Sequence, residues 1–270
     1  ECGFLEVELE ASEGTIVDIS YGEHLDDLRV RAFVGGRNFA FRYICGEGRQ
    51  NFTHYFQKLG GRYIELHVSG AKGAFALYYA GIRPAEYPVE YRGKLDIPDR
   101  LHTRIYETSV RTLELCMHEH YEDCPWREQA LYSMDGLNQA LCGYYCFGDY
   151  DFAEASLRLL GEGLADDGYL ELCAPAKVSI TIPGYSMLWI VALKDFLMYS
   201  GRIQVIRDVM PKVHRMLLAY VENIRDGLMI SPQGRRYWNF YEWAPGLDGQ
   251  AESGFQVLTA ERRDAPLNLY

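Results

Sequence analysis

Apolar and polar residues alternate with period two along the first ninety positions. Leu5, Val7, Leu9 and Ala11 interleave with Glu6, Glu8 and Glu10, the spacing of a strand with one buried face. Ser12-Glu13-Gly14 reads as a tight turn into Thr15–Ile19, and further runs follow at Leu28–Val34, Phe39–Ile44, Asn51–Phe56, Tyr63–Val68 and Ala74–Ile82, punctuated by Gly35-Gly36 and Gly60-Gly61. Short strands at this spacing predict an antiparallel β-sandwich over residues 1–90. The alternation is lost between Arg83 and Arg100, where Pro84, Pro88 and Pro98 mark a linker. Beyond it the period becomes helical: Arg100–His118, Pro125–Phe147, Asp151–Leu164, Ser186–Ser200 and Ile203–Arg225 carry apolar residues at three- and four-residue intervals. Gly148-Asp149, Asp166-Asp167-Gly168, Gly201 and Asp226-Gly227 supply stops between them. Successive helices are therefore expected to pair as antiparallel hairpins, in a bundle or toroid over residues 91–270. Pro211 is expected to kink or split the last long helix.

At 270 residues and 48% hydrophobic the chain can bury a large core. A net charge of −11 argues against a nucleic-acid surface, which needs clustered Lys and Arg. No run approaches the roughly 18–20 apolar residues that cross a bilayer, so no membrane partner is expected. The first twenty residues alternate acidic and apolar positions and have no basic start, so no compartment is read from them. Oligomeric state is equally unmarked. Seven cysteines lack zinc-type spacing, and Cys142 and Cys146, one helical turn apart, read as buried thiols. His118-Glu119-His120 reads as a solvated helix end in preference to a metal site. The chain opens inside a strand and ends at Leu267-Asn268-Leu269-Tyr270 without a closing element, which is expected of part of a longer protein.

Candidate chemistry concentrates in residues 123–135, Asp-Cys-Pro-Trp-Arg-Glu-Gln-Ala-Leu-Tyr-Ser-Met-Asp. With a helix from Pro125 onward and Asp123 or Cys124 as its cap, Glu128, Tyr132 and Asp135 fall at i, i+4 and i+7 and share one face. That face presents two carboxylates and a ring, a combination suited to sugar. A second aromatic string, Tyr237-Trp238-Asn239-Phe240-Tyr241-Glu242-Trp243, offers Trp238 and Trp243 as core anchors or as platforms for a pyranose, and Glu242 as a pocket carboxylate. Tyr185, following Pro183-Gly184 at the start of a helix, is a further candidate for the same mouth.

The string Asp123-Cys124-Pro125-Trp126-Arg127-Glu128 resembles the motif Asp-Cys-Pro-x-Arg followed by Glu or Asp of bacterial α-L-rhamnosidases, the six-hairpin enzymes of glycoside hydrolase family 78. Tyr132 stands where that family has an aromatic residue, usually Trp, and Asp135 where it has a second aspartate. Residues 1–91 are similar to the family's β-sandwich, and the string around Trp238 to its later Gly-Asp-Trp segment. Gln129–Met134 departs from the family's Arg-Leu-Gly-Trp-x-Gly. The resemblance implies a β-sandwich followed by part of an (α/α)6 toroid. It also implies a glycosidase that releases terminal α-L-rhamnose with inversion from a rhamnose-containing oligosaccharide or glycoside. Glu128 is carried over as general acid, with Asp123, Arg127, Tyr132 and Asp135 at sugar-holding positions. In the family the general base is a glutamate of the second half of the toroid, expected here beyond residue 270. This chemistry calls on two carboxylates and water, so no metal or organic cofactor is implied. Two other readings stand beside it: another six-hairpin exo-glycosidase, and a carbohydrate-binding module that keeps the pocket without the chemistry.

Overall fold

In β1 (Cys2–Ala11), Leu5, Val7, Leu9 and Ala11 are buried while Glu6, Glu8 and Glu10 face outward to differing degrees, as alternation on a pleated strand requires. β2 (Ile16–Gly22) buries Val17, Ile19 and Tyr21 in the same way. Four longer strands complete two sheets: β3 (Ala40–Ile44), β4 (Gly48–Gly60), β5 (Tyr63–Ser69) and β6 (Ala76–Pro84). All pairings are antiparallel, in the orders β6-β1-β4 and β3-β2-β5. The inward residues of β1 and β2 share one hydrophobic core with Phe39, Cys45 and Leu59, which makes the pair of sheets a sandwich. The structure, a computed structural model, describes residues 1–249 and 264–269.

The strand expected at Leu28–Val34 is replaced by two miniature hairpins, Leu25–Asp26 with Arg29–Val30 and Phe33–Val34 with Arg37–Asn38. Asp27 and Leu28 have φ of 48° and 62°, and Gly35 and Gly36 have φ of 57° and 77°. Two consecutive left-handed residues form the tight turn that matches hairpin twist. Leu28, read as a strand residue, lies at an exposed turn tip.

After an irregular stretch following β6, the helices are α1 (Arg100–Glu114), α2 (Ser133–Cys146), α3 (Asp151–Glu162), α4 (Pro183–Ser200) and α5 (Ile203–Val221). Pro183 opens α4 as its first residue, and Gly201 closes it in the left-handed conformation at φ 70°. α5 runs unbroken through Pro211, so the proline does not split it. Trp189 on α4 is fully buried and its Nε1 donates to Leu157 O on α3 (2.9 Å). Gly161 leaves room for that ring, since a Cβ there would sit 2.8 Å from it. Cys146 is buried but Cys142 is exposed, correcting the reading of both as buried thiols. No helix among the described residues is long and apolar enough to cross a membrane.

By the density of its contacts the chain forms two units. The first holds Glu1–Pro88, Glu114–His118 and Cys124–Gln129; the second holds Val89–Leu113, Glu119–Asp123 and everything from Ala130 onward. His118 and His120 are both buried, not solvated at a helix end as their setting in the sequence predicted. Among the described residues no group of three His, Cys, Asp or Glu side chains is arranged to hold a metal ion.

Candidate active site

The helix expected from Pro125 does not form. Pro125–Glu128 make a single turn, after which Gln129 takes a left-handed backbone with φ 52°, a conformation that costs a non-glycine residue about 1–3 kcal/mol. That residue ends the turn, Leu131 pairs in extended form with Ala174, and α2 begins only at Ser133. Glu128, Tyr132 and Asp135 therefore share no helical face, and neither Asp123 nor Cys124 caps a helix. Asp123 closes the loop instead: its N–H donates to Ala130 O and its Oδ1 accepts from the Ala130 N–H, both at 3.0 Å.

Within the first unit, the turn is held by the sandwich. Trp126 is 5% exposed and belongs to the sandwich core. Its ring meets Phe39 with centroids 5.0 Å apart and His24 at 5.9 Å. Gln129 Nε2 donates to Pro125 O (2.8 Å) and to Lys58 O on β4 (3.2 Å), which accounts for a glutamine at a strained position. Gly60 at the end of β4 lies so close that a Cβ would stand 1.8 Å from Pro125 O. Glu128 Oε1 accepts from Arg37 Nη2 at 3.2 Å, the glutamate side chain being 28% exposed. Arg127 is exposed.

Within the second unit, the short connections 147–150 and 201–202 lie at one end of the helices, and the long ones, 163–182 and 222–249, at the other together with the entry to α2. Single β-bridges zip that end together: Leu131 with Ala174, and Thr181 with Tyr237. Tyr132 stands just before α2 and Asp135 in its first turn, where the helix dipole favours negative charge. Ser133 Oγ donates to Tyr185 O (2.6 Å) at the start of α4. Aromatic rings then follow one another from Tyr132 to Tyr185 (6.5 Å), to Phe240 (6.2 Å), and from Phe240 to Trp243 (4.8 Å) and Trp238 (5.0 Å). The structure thus brings together Tyr132, Tyr185, Trp238 and Trp243. Trp238 is half-buried and its Nε1 donates to Asp248 O (2.9 Å), whereas Trp243 is 60% exposed. Glu242 is exposed, and its carboxylate accepts from the Trp243 N–H (2.6 Å).

Phe240, buried at the centre of this chain, was hidden in its aromatic string. A polar cluster was missed as well. Arg236 Nε donates to Asp167 Oδ2 (2.5 Å), Tyr237 OH donates to the same oxygen (3.1 Å), and Glu171 lies 3.6 Å from Arg236. Burial pulls the Asp167 carboxyl upward, but hydrogen bonds from Arg236, the Tyr169 N–H and Tyr237 outweigh it and leave it below its ordinary value. Burial pushes the Tyr169 phenol up to about 12. A depression of 480 Å³ runs beside this cluster, lined by Glu162, Glu171, Cys173, Pro175 and Lys177 among others. It contains none of the residues predicted for the site.

Two antiparallel sheets followed by a run of helices make this a β-plus-α protein. The chain belongs to the bacterial α-L-rhamnosidases: residues 92–260 match the bacterial alpha-L-rhamnosidase 6 hairpin glycosidase domain, and residues 1–78 the concanavalin-like domain of the same proteins. It is similar to the GH78 rhamnosidase of Bacillus sp. GL1, with 32% identity and a TM-score of 0.82 over 90% of this chain and 25% of that one. It also shares its fold with a Klebsiella oxytoca rhamnosidase solved with rhamnose bound (17% identity, TM-score 0.70, 92% of this chain and 52% of that one). The Streptomyces avermitilis α-L-rhamnosidase complexed with L-rhamnose is a further match (16% identity, TM-score 0.66, 86% and 23%). The chain spans a quarter of the length of the Bacillus enzyme. No curated protein matches it.

Proposed function

We propose that the intact protein is a glycoside hydrolase that releases terminal α-L-rhamnose from oligosaccharides or glycosides with inversion at the anomeric carbon. The observation that carries this reading is the uninterrupted Asp123-Cys124-Pro125-Trp126-Arg127-Glu128 string in a chain of this family. The rhamnose held by the Klebsiella and Streptomyces proteins supports the choice of sugar. Glu128 donates its proton to the glycosidic oxygen as the bond breaks, and a carboxylate roughly 6.5–9.5 Å away takes a proton from the attacking water. That base is supplied by the protein outside residues 1–270. Residues 1–90 are the sandwich domain, and residues 91–270 contribute part of an (α/α)6 toroid. Tyr132, Tyr185, Trp238 and Trp243 offer ring faces to the pyranose, and Asp123, Arg127, Asp135 and Glu242 offer polar contacts.

The test is hydrolysis of α-L-rhamnosides by the intact protein, with NMR detection of the anomer first released and Glu128→Gln alongside. The variant keeps the shape and removes the proton. Release of β-L-rhamnose, with a loss of about 100-fold or more in the variant on an alkyl rhamnoside, is expected. Binding of rhamnose without turnover by the wild type would select a binding module, and turnover of a different sugar another exo-glycosidase.

A further inference from the structure

Arg37 of the sandwich reaches the candidate acid. Arg37 follows the Gly35-Gly36 turn of the hairpin formed by Phe33–Val34 and Arg37–Asn38, and its Nη2 lies 3.2 Å from Glu128 Oε1. The two residues come from segments 91 positions apart, yet their bases are fixed to each other. Phe39 stands two residues after Arg37 and Trp126 two residues before Glu128. Both rings are 5% exposed, and their centroids are 5.0 Å apart in the sandwich core. The hairpin is tied at its root by the Phe39 N–H donating to Ala32 O (2.7 Å). A buried ring pair thus sets the distance at which the guanidinium meets the carboxylate.

We propose that Arg37 is a positioning residue for the hydrolytic reaction, orienting Glu128 and stabilising it as it gives up its proton; this rests on the reading of Glu128 as general acid. A guanidinium N–H donated to Oε1 makes that oxygen an acceptor, so the transferable proton resides on Oε2. As the proton passes to the glycosidic oxygen, the carboxyl becomes a carboxylate and its attraction to Arg37 strengthens. An interaction stronger in the transition state than in the ground state lowers the barrier and so acts on kcat. Arg37 is half-exposed on a surface hairpin, so its removal opens no core cavity.

The experiment compares two substrates of the intact protein: methyl α-L-rhamnoside, whose leaving group needs a proton, and 2,4-dinitrophenyl α-L-rhamnoside, whose leaving group departs without one. Arg37→Met is expected to lower kcat on the methyl glycoside about 10- to 100-fold and on the dinitrophenyl glycoside by less than about threefold, with KM little changed. Arg37→Lys, which keeps the charge but not the planar fork, is expected to recover part of the loss. Equal losses on both substrates, or no loss on either, would overturn the proposal, because a merely structural role has no reason to follow leaving-group ability. Far-UV circular dichroism and thermal unfolding identify a variant that fails to fold, and Arg37→Gln then repeats the comparison. Glu128→Gln tests the underlying reading separately. If that variant shows no dependence on the leaving group, Glu128 is not the acid, whatever the Arg37 variants do.

Discussion

Trp126→Ala is the substitution on which the architecture makes its sharpest demand. The ring is 5% exposed, packs on Phe39 and His24, and stands where a Cβ on Gly22 would be 3.2 Å from it. Truncation of a buried aromatic removes its burial and leaves a cavity, at a cost of about 3–5 kcal/mol. The indole nitrogen changes the expectation for the conservative variant. Nε1 is buried and has no hydrogen-bond partner among the described residues. An unsatisfied buried donor costs about 1–3 kcal/mol, so Trp126→Phe removes a penalty along with some packing. It is expected to lie within about 1.5 kcal/mol of the wild type.

Amide hydrogen exchange localises the effect, which a single melting temperature of a two-unit chain does not. Protection of β1 and β2 should fall in Trp126→Ala, while the α4 core around Trp189 stays near its wild-type value. Rhamnoside turnover should fall in the same variant, since Glu128 lies two residues away. If Trp126→Ala leaves β1 and β2 as protected as before, the ring does not belong to the sandwich core. If Trp126→Phe is as damaging as Trp126→Ala, the indole N–H has a partner and the argument from its burial is wrong.

Gly60→Ala is expected to displace the motif turn, because its Cβ would overlap Pro125 O; a loss of about 1–3 kcal/mol read from the urea midpoint checks this. Phe240→Ala and Trp243→Ala should separate stability from binding. Phe240 is buried and should cost about 3–5 kcal/mol, whereas the exposed Trp243 should leave stability within about 0.5 kcal/mol and weaken rhamnose binding about 10-fold, measured by calorimetry. Asp167 has a folded pKa below its ordinary 3.8. Its stabilising contribution is therefore complete above that value and lost as pH falls through the lower folded one. The stability gap between wild type and Asp167→Asn should be constant from pH 5 to 8 and shrink below about pH 4; urea midpoints that keep the same gap at pH 3 would refute the pairing with Arg236.

Period-two alternation in Leu5–Ala11 and three- and four-residue spacing from Asp151 to Val221 were legible because each strand and helix there buries one face against neighbours of its own unit. The motif was legible as a string of letters and not as a shape. Its helical spacing from Pro125 to Asp135 is real in the sequence, but helical periodicity cannot register a single left-handed residue. Gln129 takes that backbone because Lys58 O and Pro125 O are both in reach of its side chain, and Lys58 is 71 positions away. Arg37 was invisible for the same reason. It sits in a stretch that reads as a strand break, and nothing local marks its partner. Tyr185, Trp238 and Trp243 were singled out as candidates by residue type and setting, while Phe240, whose ring lies between theirs, looked like one more core aromatic.

The motif is divided in its allegiance, and the division has a physical basis. Asp123 and Ala130 close on each other through two backbone-involving hydrogen bonds, so residues 124–129 leave and re-enter the helical unit as a loop with fixed ends. A six-residue excursion of that kind would ordinarily be mobile and polar. This one carries Trp126, which is satisfied only in an apolar core, and that core is the sandwich's. The rings of Tyr132, Tyr185 and Phe240 belong to the helical unit, beside the connections bridged at Thr181 and Tyr237. The sandwich places the carboxylate two residues beyond Trp126 and supplies the arginine beside it. A β domain that only accompanied the helical unit would need neither Gly60 pressed against Pro125 O nor an aromatic pair spanning Phe39 and Trp126. Their presence makes the sandwich a structural component of the candidate acid's setting, and removal of residues 1–88 should abolish order at residues 124–129 even where the α4 core survives.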